Sequence, residues 1–305
     1  MTWDPVRMPS QRGRVVAVTG ANAGLGFWTS FALARAGASV ILACRNSQRA
    51  DAAMRAIRAR VPDAELSVLQ LDTADLASVR SAGERLAGLD RLDALVNNAG
   101  IVHPPLRRTE TVDGLELITA TNFFGAFALT AAALPALERT PGSRVVSLGS
   151  LATFLVSLRL DDLQLTRRYS GWQAYAQSKI LLSSFGFELD RRLRERGSGI
   201  RSLVAHPGYS ISGRTPHVPG VNEPSRGKRF VDGLQAPFTQ GKDRGAEPVV
   251  RAVTDPDADG GAFYGPRYWA KGPAVRAQPA AVTVDAGAAQ AIWAEAEVAT
   301  RVPFL

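Results

Sequence analysis

Tyr175 and Lys179 stand four positions apart in the segment YAQSK, inside a stretch, 172–196, that reads as a long helix. Side chains at i and i+4 are neighbours on a helical surface, so both can address one external object. The chemistry that suits such a pair is proton transfer. A ketone taking up hydride develops negative charge on its oxygen and needs a proton donor and an oxyanion partner. A phenol whose pKa stays near 10 donates poorly at neutral pH, and a nearby ammonium favours phenolate and lowers that value. Alone the pair is unspecific, because a Tyr and a Lys share one helical face in many proteins. A second signature lies near the N-terminus, where TGANAGLG (19–26) follows the valine-rich run RVVAVT and opens an alanine-rich helix. Gly20, Gly24 and Gly26 permit a tight turn and close approach of backbone to a phosphate. The helix N-terminus behind them offers free N–H groups and a positive dipole end to a pyrophosphate.

The elements that must position these groups alternate regularly. Apolar runs at 14–19, 38–44, 65–71, 93–97, 144–149 and 200–206 read as strands. Helical patterns at 25–36, to about Arg60, to about Leu89, through 112–137 and over 172–196 separate them. Short β-branched strands alternating with helices predict an α/β fold whose parallel sheet is covered on both faces. Right-handed crossovers make it doubly wound, of the Rossmann type. No internal repeat, low-complexity tail or linker interrupts the chain, so 1–305 reads as one domain. After His206 the regularity breaks: residues 207–242 carry Pro207, Pro216, Pro219 and Pro224. An irregular stretch of this length in a compact fold serves as a lid or binding loop. Two further helices, 245–254 and 285–300, flank the segment AFYGP.

Composition narrows the partners. A net charge of +8 is compatible with nucleic acid, a membrane surface or an anionic small molecule. The arginines are scattered, however, and Arg191, Arg192, Arg194 and Arg196 are interleaved with Glu188, Asp190 and Glu195, the pattern of a solvated helix face; no nucleic-acid partner is expected. Lysine is scarce, at 179, 228, 242 and 271 only. The lone Cys44 excludes an intrachain disulfide framework and, with an N-terminus MTWDPVRMPSQRGR that lacks an apolar core, predicts a cytoplasmic protein. Residues 118–137 carry no formal charge and are long enough to span a bilayer. Thr119, Thr121, Asn122, Gly125, Thr130 and Pro135 within them favour a helix buried against neighbours or a second subunit, so no membrane span is expected and monomer and homodimer both stay open. His103 and His217 lie in loops without partners at ligand spacing, so no metal is assigned.

In this setting the chain resembles the short-chain dehydrogenase/reductase family, in its compact single-domain class. The resemblance is carried by TGANAGLG, NNAG (97–100), Asn122, Ser150, YAQSK and HPG (206–208), in order along nearly the whole chain. VILACRN (40–46), GAEP (245–248) and AFYGP (262–266) further resemble its retinol-dehydrogenase-like branch. The resemblance implies that Tyr175 is the proton donor and that Ser150 binds the substrate oxygen. It implies that Lys179 also holds the nicotinamide ribose and that Asn122 completes a water-linked relay to Lys179. Ser147 lies near the same strand end, but the second serine of the family's pair falls at 150. Cofactor contacts are implied for Gly20, Asn22, Gly24, Leu25, Gly26, Asn98, Ala99, Gly100, Pro207, Gly208 and Ser210. Asp72 and Thr73 fall where the adenine is met. Ser212 replaces a common Thr at the carboxamide and keeps a hydroxyl. The 25 residues from Ser150 to Tyr175 exceed the spacing in many relatives, though not in this branch.

Cofactor choice rests on one position. NAD-binding folds place an Asp or Glu about twenty residues past the glycines to accept the ribose 2′-hydroxyl. Here the second strand ends Ala43–Cys44–Arg45–Asn46, and Arg45, with Arg49 near, suits a 2′-phosphate. NADP(H) rather than NAD(H) is expected. The leading reading is an oxidoreductase acting on a small-molecule carbonyl or secondary alcohol. Leu151, Phe154, Leu155 and Tyr209 suggest that this substrate is lipophilic. A non-catalytic NADP-binding regulator or scaffold on the same fold is the alternative, disfavoured by retention of Asn122, Ser150, Tyr175 and Lys179 together. An epimerase or dehydratase of the larger related class also uses a Tyr-x-x-x-Lys pair, but the glycine spacing and NNAG speak against it.

Overall fold

Valine-rich runs form the centre of the molecule, whose computed structural model describes residues 3–5 and 7–305. The first half runs β1 (Val15–Thr19), α1 (Gly24–Arg35), β2 (Ser39–Cys44), α2 (Ser47–Arg58), β3 (Leu66–Gln70), α3 (Leu76–Ala87) and β4 (Ala94–Asn97). A composite helix follows: α4 (Leu117–Thr119), a π-turn (Ala120–Phe124) and α5 (Gly125–Arg139). Then come β5 (Arg144–Leu148), α6 (Gly171–Glu195), β6 (Arg201–Ala205), α7 (Arg226–Leu234), α8 (Lys242–Gly245), α9 (Glu247–Thr254), β7 (Phe263–Pro266), β8 (Ala274–Arg276) and α10 (Ala286–Thr300). The strands form one sheet in the order β3-β2-β1-β4-β5-β6-β7-β8. All neighbours pair in parallel except β7 with β8. Val16 pairs with Val40 on one side and Ala94 on the other. Strand order therefore reverses at β1, and a crevice opens at the carboxyl ends of β1 and β4, where doubly wound sheets bind ligands.

Both faces are covered, as the continuous apolar strands require. On one, Val16, Val18, Phe27, Leu42 and Val249 pack together. On the other, Phe123, Phe127, Phe185, Trp293 and Phe304 form an aromatic cluster with Leu95 and Val145. The helix over Leu117–Arg139 is long and apolar enough to cross a membrane and is largely buried within the protein. Its fit against α3 is close: a Cβ at Gly83 would overlap Ala132. The arginines of α6 pair with its own acids, Arg191 with Glu188 and Glu195, Arg192 with Glu188 and Arg194 with Asp190.

Three features differ from the sequence expectation. The helix expected through 112–137 begins only at Leu117, because the Glu116 carboxylate accepts hydrogen bonds from the Ile118 and Thr119 amides (2.9 and 2.7 Å) and fixes the start there. The sheet continues past β6, since AFYGP supplies β7, which β8 closes. Segment 207–242 is partly regular, with a 3₁₀ turn at Ser212–Arg214 and the helix α7.

Candidate active site

The floor of the crevice is the turn after β1. Gly20 and Gly24 take positive φ (66° and 58°), which side chains rarely adopt. A Cβ at Gly26 would overlap the Gly20 carbonyl. The turn is clamped from β4. The Thr19 hydroxyl accepts the Asn98 and Ala99 amides at 3.0 and 2.9 Å, and the Asn98 side chain donates to the Thr19 carbonyl at 2.6 Å. Asn98 therefore shapes the loop with its own amide. α2, α3 and α6 are capped by the side chains of Asn46, Asp75 and Ser170, whereas α1 starts at Ala23 with no side-chain cap. Its first-turn N–H groups face the turn without a side-chain acceptor, which suits a pyrophosphate. Asn22 and Leu25 are half-buried on the same turn.

Beyond β4, Gly100 borders the polar cluster. A Cβ there would lie 3.1 Å from Asn122 Oδ1 and 3.6 Å from Lys179 Nζ, so both groups line one space. Asn122 sits in the π-turn, where the Gly125 amide reaches back to the Ala120 carbonyl. Such single π-turns often re-aim a functional side chain. Asn122 Oδ1 accepts from the Ile101 amide (2.7 Å), and Nδ2 donates to Ser178 Oγ (2.9 Å), tying the π-turn to α6. Thr73 is buried beside it, its carbonyl so close to Gly125 that a Cβ there would overlap it.

On α6, the Tyr175 hydroxyl donates to Ser150 Oγ at 3.2 Å. Ser150 is oriented by the Ala152 amide (3.2 Å) at the start of a 3₁₀ turn. Ser147 is fully buried against Gly186, and its hydroxyl has no hydrogen-bond partner among the described residues. Lys179 is 2% exposed, and its ammonium donates to the Leu148 carbonyl at 2.8 Å. Burial lowers its pKa to about 8. Burial also raises the Tyr175 pKa, opposed by the hydrogen bond to Ser150. The ammonium is held by the Leu148 carbonyl, and burial is the leading influence on both groups. The insert between Ser150 and Tyr175 packs back on α6, with the Gln177 amide donating to the Asp162 and Leu163 carbonyls at 3.1 Å.

At the far end of the floor, Arg45 projects into solvent, 3.5 Å from Asp72. An exposed pair at this distance holds a guanidinium weakly and leaves its other donors free. Asp72 Oδ1 meanwhile accepts the Ala74 amide at 3.0 Å. On the opposite side, Gly208 takes φ 65° under the Ala270 carbonyl, following Pro207. Ser210 Oγ donates to the Pro207 carbonyl (2.8 Å), so this hydroxyl is already engaged. Ser212 opens the 3₁₀ turn half-buried. One neighbour of the turn was not singled out from the sequence: the Lys242 side chain lies over Gly24, where a Cβ would stand 3.6 Å from its Nζ. Its only sequence signal is the scarcity of lysine.

An uncapped turn at the switch point, with Tyr, Ser and Lys on the neighbouring strand and helix, marks a Rossmann-type oxidoreductase. The family model for short chain dehydrogenases matches residues 14–218, and the chain belongs to that family, in its retinol-dehydrogenase-like branch. It is 36% identical over 296 residues to a mouse (Mus musculus) polyprenol dehydrogenase, covering 95% of this chain and 85% of the relative. To human (Homo sapiens) retinol dehydrogenase 13 it is 34% identical, covering 93% and 83%. The crystal structure of an uncharacterized protein from Mycobacterium paratuberculosis superposes with a TM-score of 0.81 at 37% identity over all of both chains. A short chain dehydrogenase from Burkholderia cenocepacia in complex with NADP matches at TM-score 0.62 and 26% identity, over 84% of this chain and 96% of that one.

Proposed function

We propose that the protein is an NADP(H)-dependent oxidoreductase that interconverts a carbonyl and a secondary alcohol on a lipophilic small molecule, with Tyr175 as general acid and base. The observation that carries the reading is the Tyr175–Ser150 hydrogen bond, with Lys179 and Asn122 lining one space beside it. The uncapped N-terminus of α1 and the glycine turn fit a dinucleotide pyrophosphate. Arg45, the first cation past β2 and only weakly paired with Asp72, fits a 2′-phosphate. Gly100, Pro207, Gly208 and Ser212 border the remaining cofactor path. When bound, the nicotinamide supplies or accepts the hydride.

The chain's own residues handle the proton. Tyr175 holds it at its hydroxyl, and Ser150 Oγ shares the substrate oxygen with that hydroxyl. The upward shift of the phenol's pKa keeps the proton in place at neutral pH. Lys179, whose pKa near 8 lies close to working conditions, replenishes it, and Asn122 holds the water path to Lys179 open beside Gly100. The lipophilic assignment rests on the roof. Phe154 packs against Trp269 at a tilt (ring centroids 4.7 Å apart), Tyr209 bonds Gln235 at the end of α7 (3.2 Å), and Phe230 and Phe238 are each 71% exposed. Segment 207–242 serves as the lid over this apolar mouth. The polyprenol and retinol dehydrogenases among the relatives support the same substrate class. The buried, unpaired thiol of Cys44 supports a reducing, cytoplasmic compartment.

The test is NADPH consumption, followed by absorbance, against long-chain ketones and aldehydes. Tyr175→Phe lowers kcat about 10²–10⁴-fold, the usual worth of a general acid. Arg45→Asp weakens NADPH binding and spares NADH. A wild type that binds NADPH but turns over no carbonyl is the regulator instead, and one that prefers NADH refutes the role of Arg45.

A further inference from the structure

Lys242 is the first residue of α8, held there when its backbone amide donates to Thr215 Oγ1 at 2.8 Å. This bond joins it to the loop that carries Ser212, on the far side of the crevice from the glycine turn. Its side chain then crosses to Gly24, approaching within 3.6 Å (Nζ) and 3.7 Å (Cδ) of where a Cβ would stand. A Cβ at 24 would stand in ordinary van der Waals contact with the lysine side chain. α8 is seated tightly on the same turn, since a Cβ at Gly245 would come within 3.0 Å of Leu25 Cδ2 and overlap Ser210.

The charge so placed has no partner. Among the described residues no acceptor lies within hydrogen-bond or ion-pair distance of its ammonium. Asp232, the acid whose charge acts on it, is engaged by the Lys228 ammonium (3.0 Å) and by the Gly213 amide (2.7 Å). Burial and the charge of Lys228 both disfavour the protonated form of Lys242, and Asp232 offsets them only in part. A half-buried ammonium without an acceptor, beside a second lysine and above the uncapped N-terminus of α1, lacks an anion.

We propose that Lys242 closes over the glycine turn as a phosphate ligand from the roof, pairing with the pyrophosphate of the dinucleotide while the amides of α1 hold it from the floor. The inference rests on the dinucleotide reading above and adds to it a ligand from outside the glycine turn. It distinguishes two cations: Arg45 selects between dinucleotides, whereas Lys242 grips what NADPH and NADH share.

Calorimetric titration of NADPH and NADH into wild type, Lys242→Met, Lys242→Arg and Arg45→Asp tests it without turnover. Methionine keeps the apolar stem and removes the charge. Both dinucleotides are expected to bind Lys242→Met more weakly by the same factor, about tenfold, the scale of one charge-assisted hydrogen bond. Arginine restores most of that loss. Unchanged affinities, a loss confined to NADPH, or a loss that arginine does not rescue each overturn the assignment. A wild type that binds neither dinucleotide overturns the cofactor reading itself, and this inference with it.

Discussion

On the β1–β4 side of the crevice, Thr19 is locked to Asn98 and Ala99 by hydrogen bonds of 2.6–3.0 Å, and a methyl group has no room at Gly26. On the 207–242 side, Phe230, Leu234 and Phe238 stand about 70% exposed, and a Cβ at Gly227 or Gly233 would meet nothing within 4 Å. The two walls thus answer different demands. A pyrophosphate is the same in every catalytic cycle, so the floor can be preorganised to one geometry. On the proposed reading a lipophilic substrate must enter and leave, and the exposed apolar roof keeps the looseness of a segment with few buried contacts.

Gly26→Ala breaks the contrast from the floor side and carries the largest effect. The added Cβ would overlap the Gly20 backbone carbonyl and come within 2.5 Å of Asn98 Nδ2, neither of which can yield without opening the Thr19 clamp. Overpacking of this kind costs about 3 kcal/mol, which shifts the dinucleotide Kd about a hundredfold if it falls on the bound state. Titration and thermal melting measure it. A variant that binds and melts like wild type shows that the floor is as compliant as the roof.

How well each wall could be read in the sequence follows from the same contrast. Gly20, Gly24, Gly26 and the Tyr175–Lys179 pair announce themselves because turn geometry and helical spacing are local constraints. The parallel order of the first six strands follows from the βα alternation. Ser150 and Ser147 could not be separated by spacing alone; they part in the structure, where Ser147 is buried against Gly186 while Ser150 meets Tyr175. β7 hides in four residues containing a Gly and a Pro, and becomes a strand only because the edge of β6 is there to pair with it. Lys242 is placed by Thr215 and Gly24, both distant in sequence, and no local pattern encodes that meeting. The start of α4 was misplaced because a Glu116 cap outweighs the apolar pattern before it.

The root of the roof gives the second test, comparable in free energy but felt only at acid pH. His206 is 2% exposed, stacks on Phe263 at 5.2 Å and lies so close to Gly265 that a Cβ there would overlap its ring. Burial pushes its pKa down from 6.5 to about 4. The unfolded chain therefore binds this proton at a higher pH than the folded one, and stability falls as pH drops from 6.5 toward 4. The full loss is roughly 3 kcal/mol. Urea unfolding of wild type at pH 7 and pH 4.5 should show most of it, and His206→Gln should flatten that dependence. An equal acid slope in the variant would mean that other groups, such as the carboxylates of α6, set the acid limit.

The smallest effect is expected where the roof has most freedom. Gly227 and Gly233 lie within α7, at negative φ and in open space, so alanine fits both without strain. Each replacement removes unfolded-state freedom and raises helix propensity by about 0.5–1 kcal/mol. The gain should appear locally, as slower amide exchange over Arg226–Leu234, with β1 and β4 unaffected. The double variant carries the consequence for function. If α7 must loosen to admit or release a lipophilic molecule, Gly227→Ala/Gly233→Ala lowers kcat while leaving dinucleotide affinity untouched. Protection of α7 with unchanged kcat would instead make this helix a fixed part of the wall and move the mobile element to the loop between Ser212 and Ser225. The two glycines thus separate a lid that works by opening from a roof that is merely exposed.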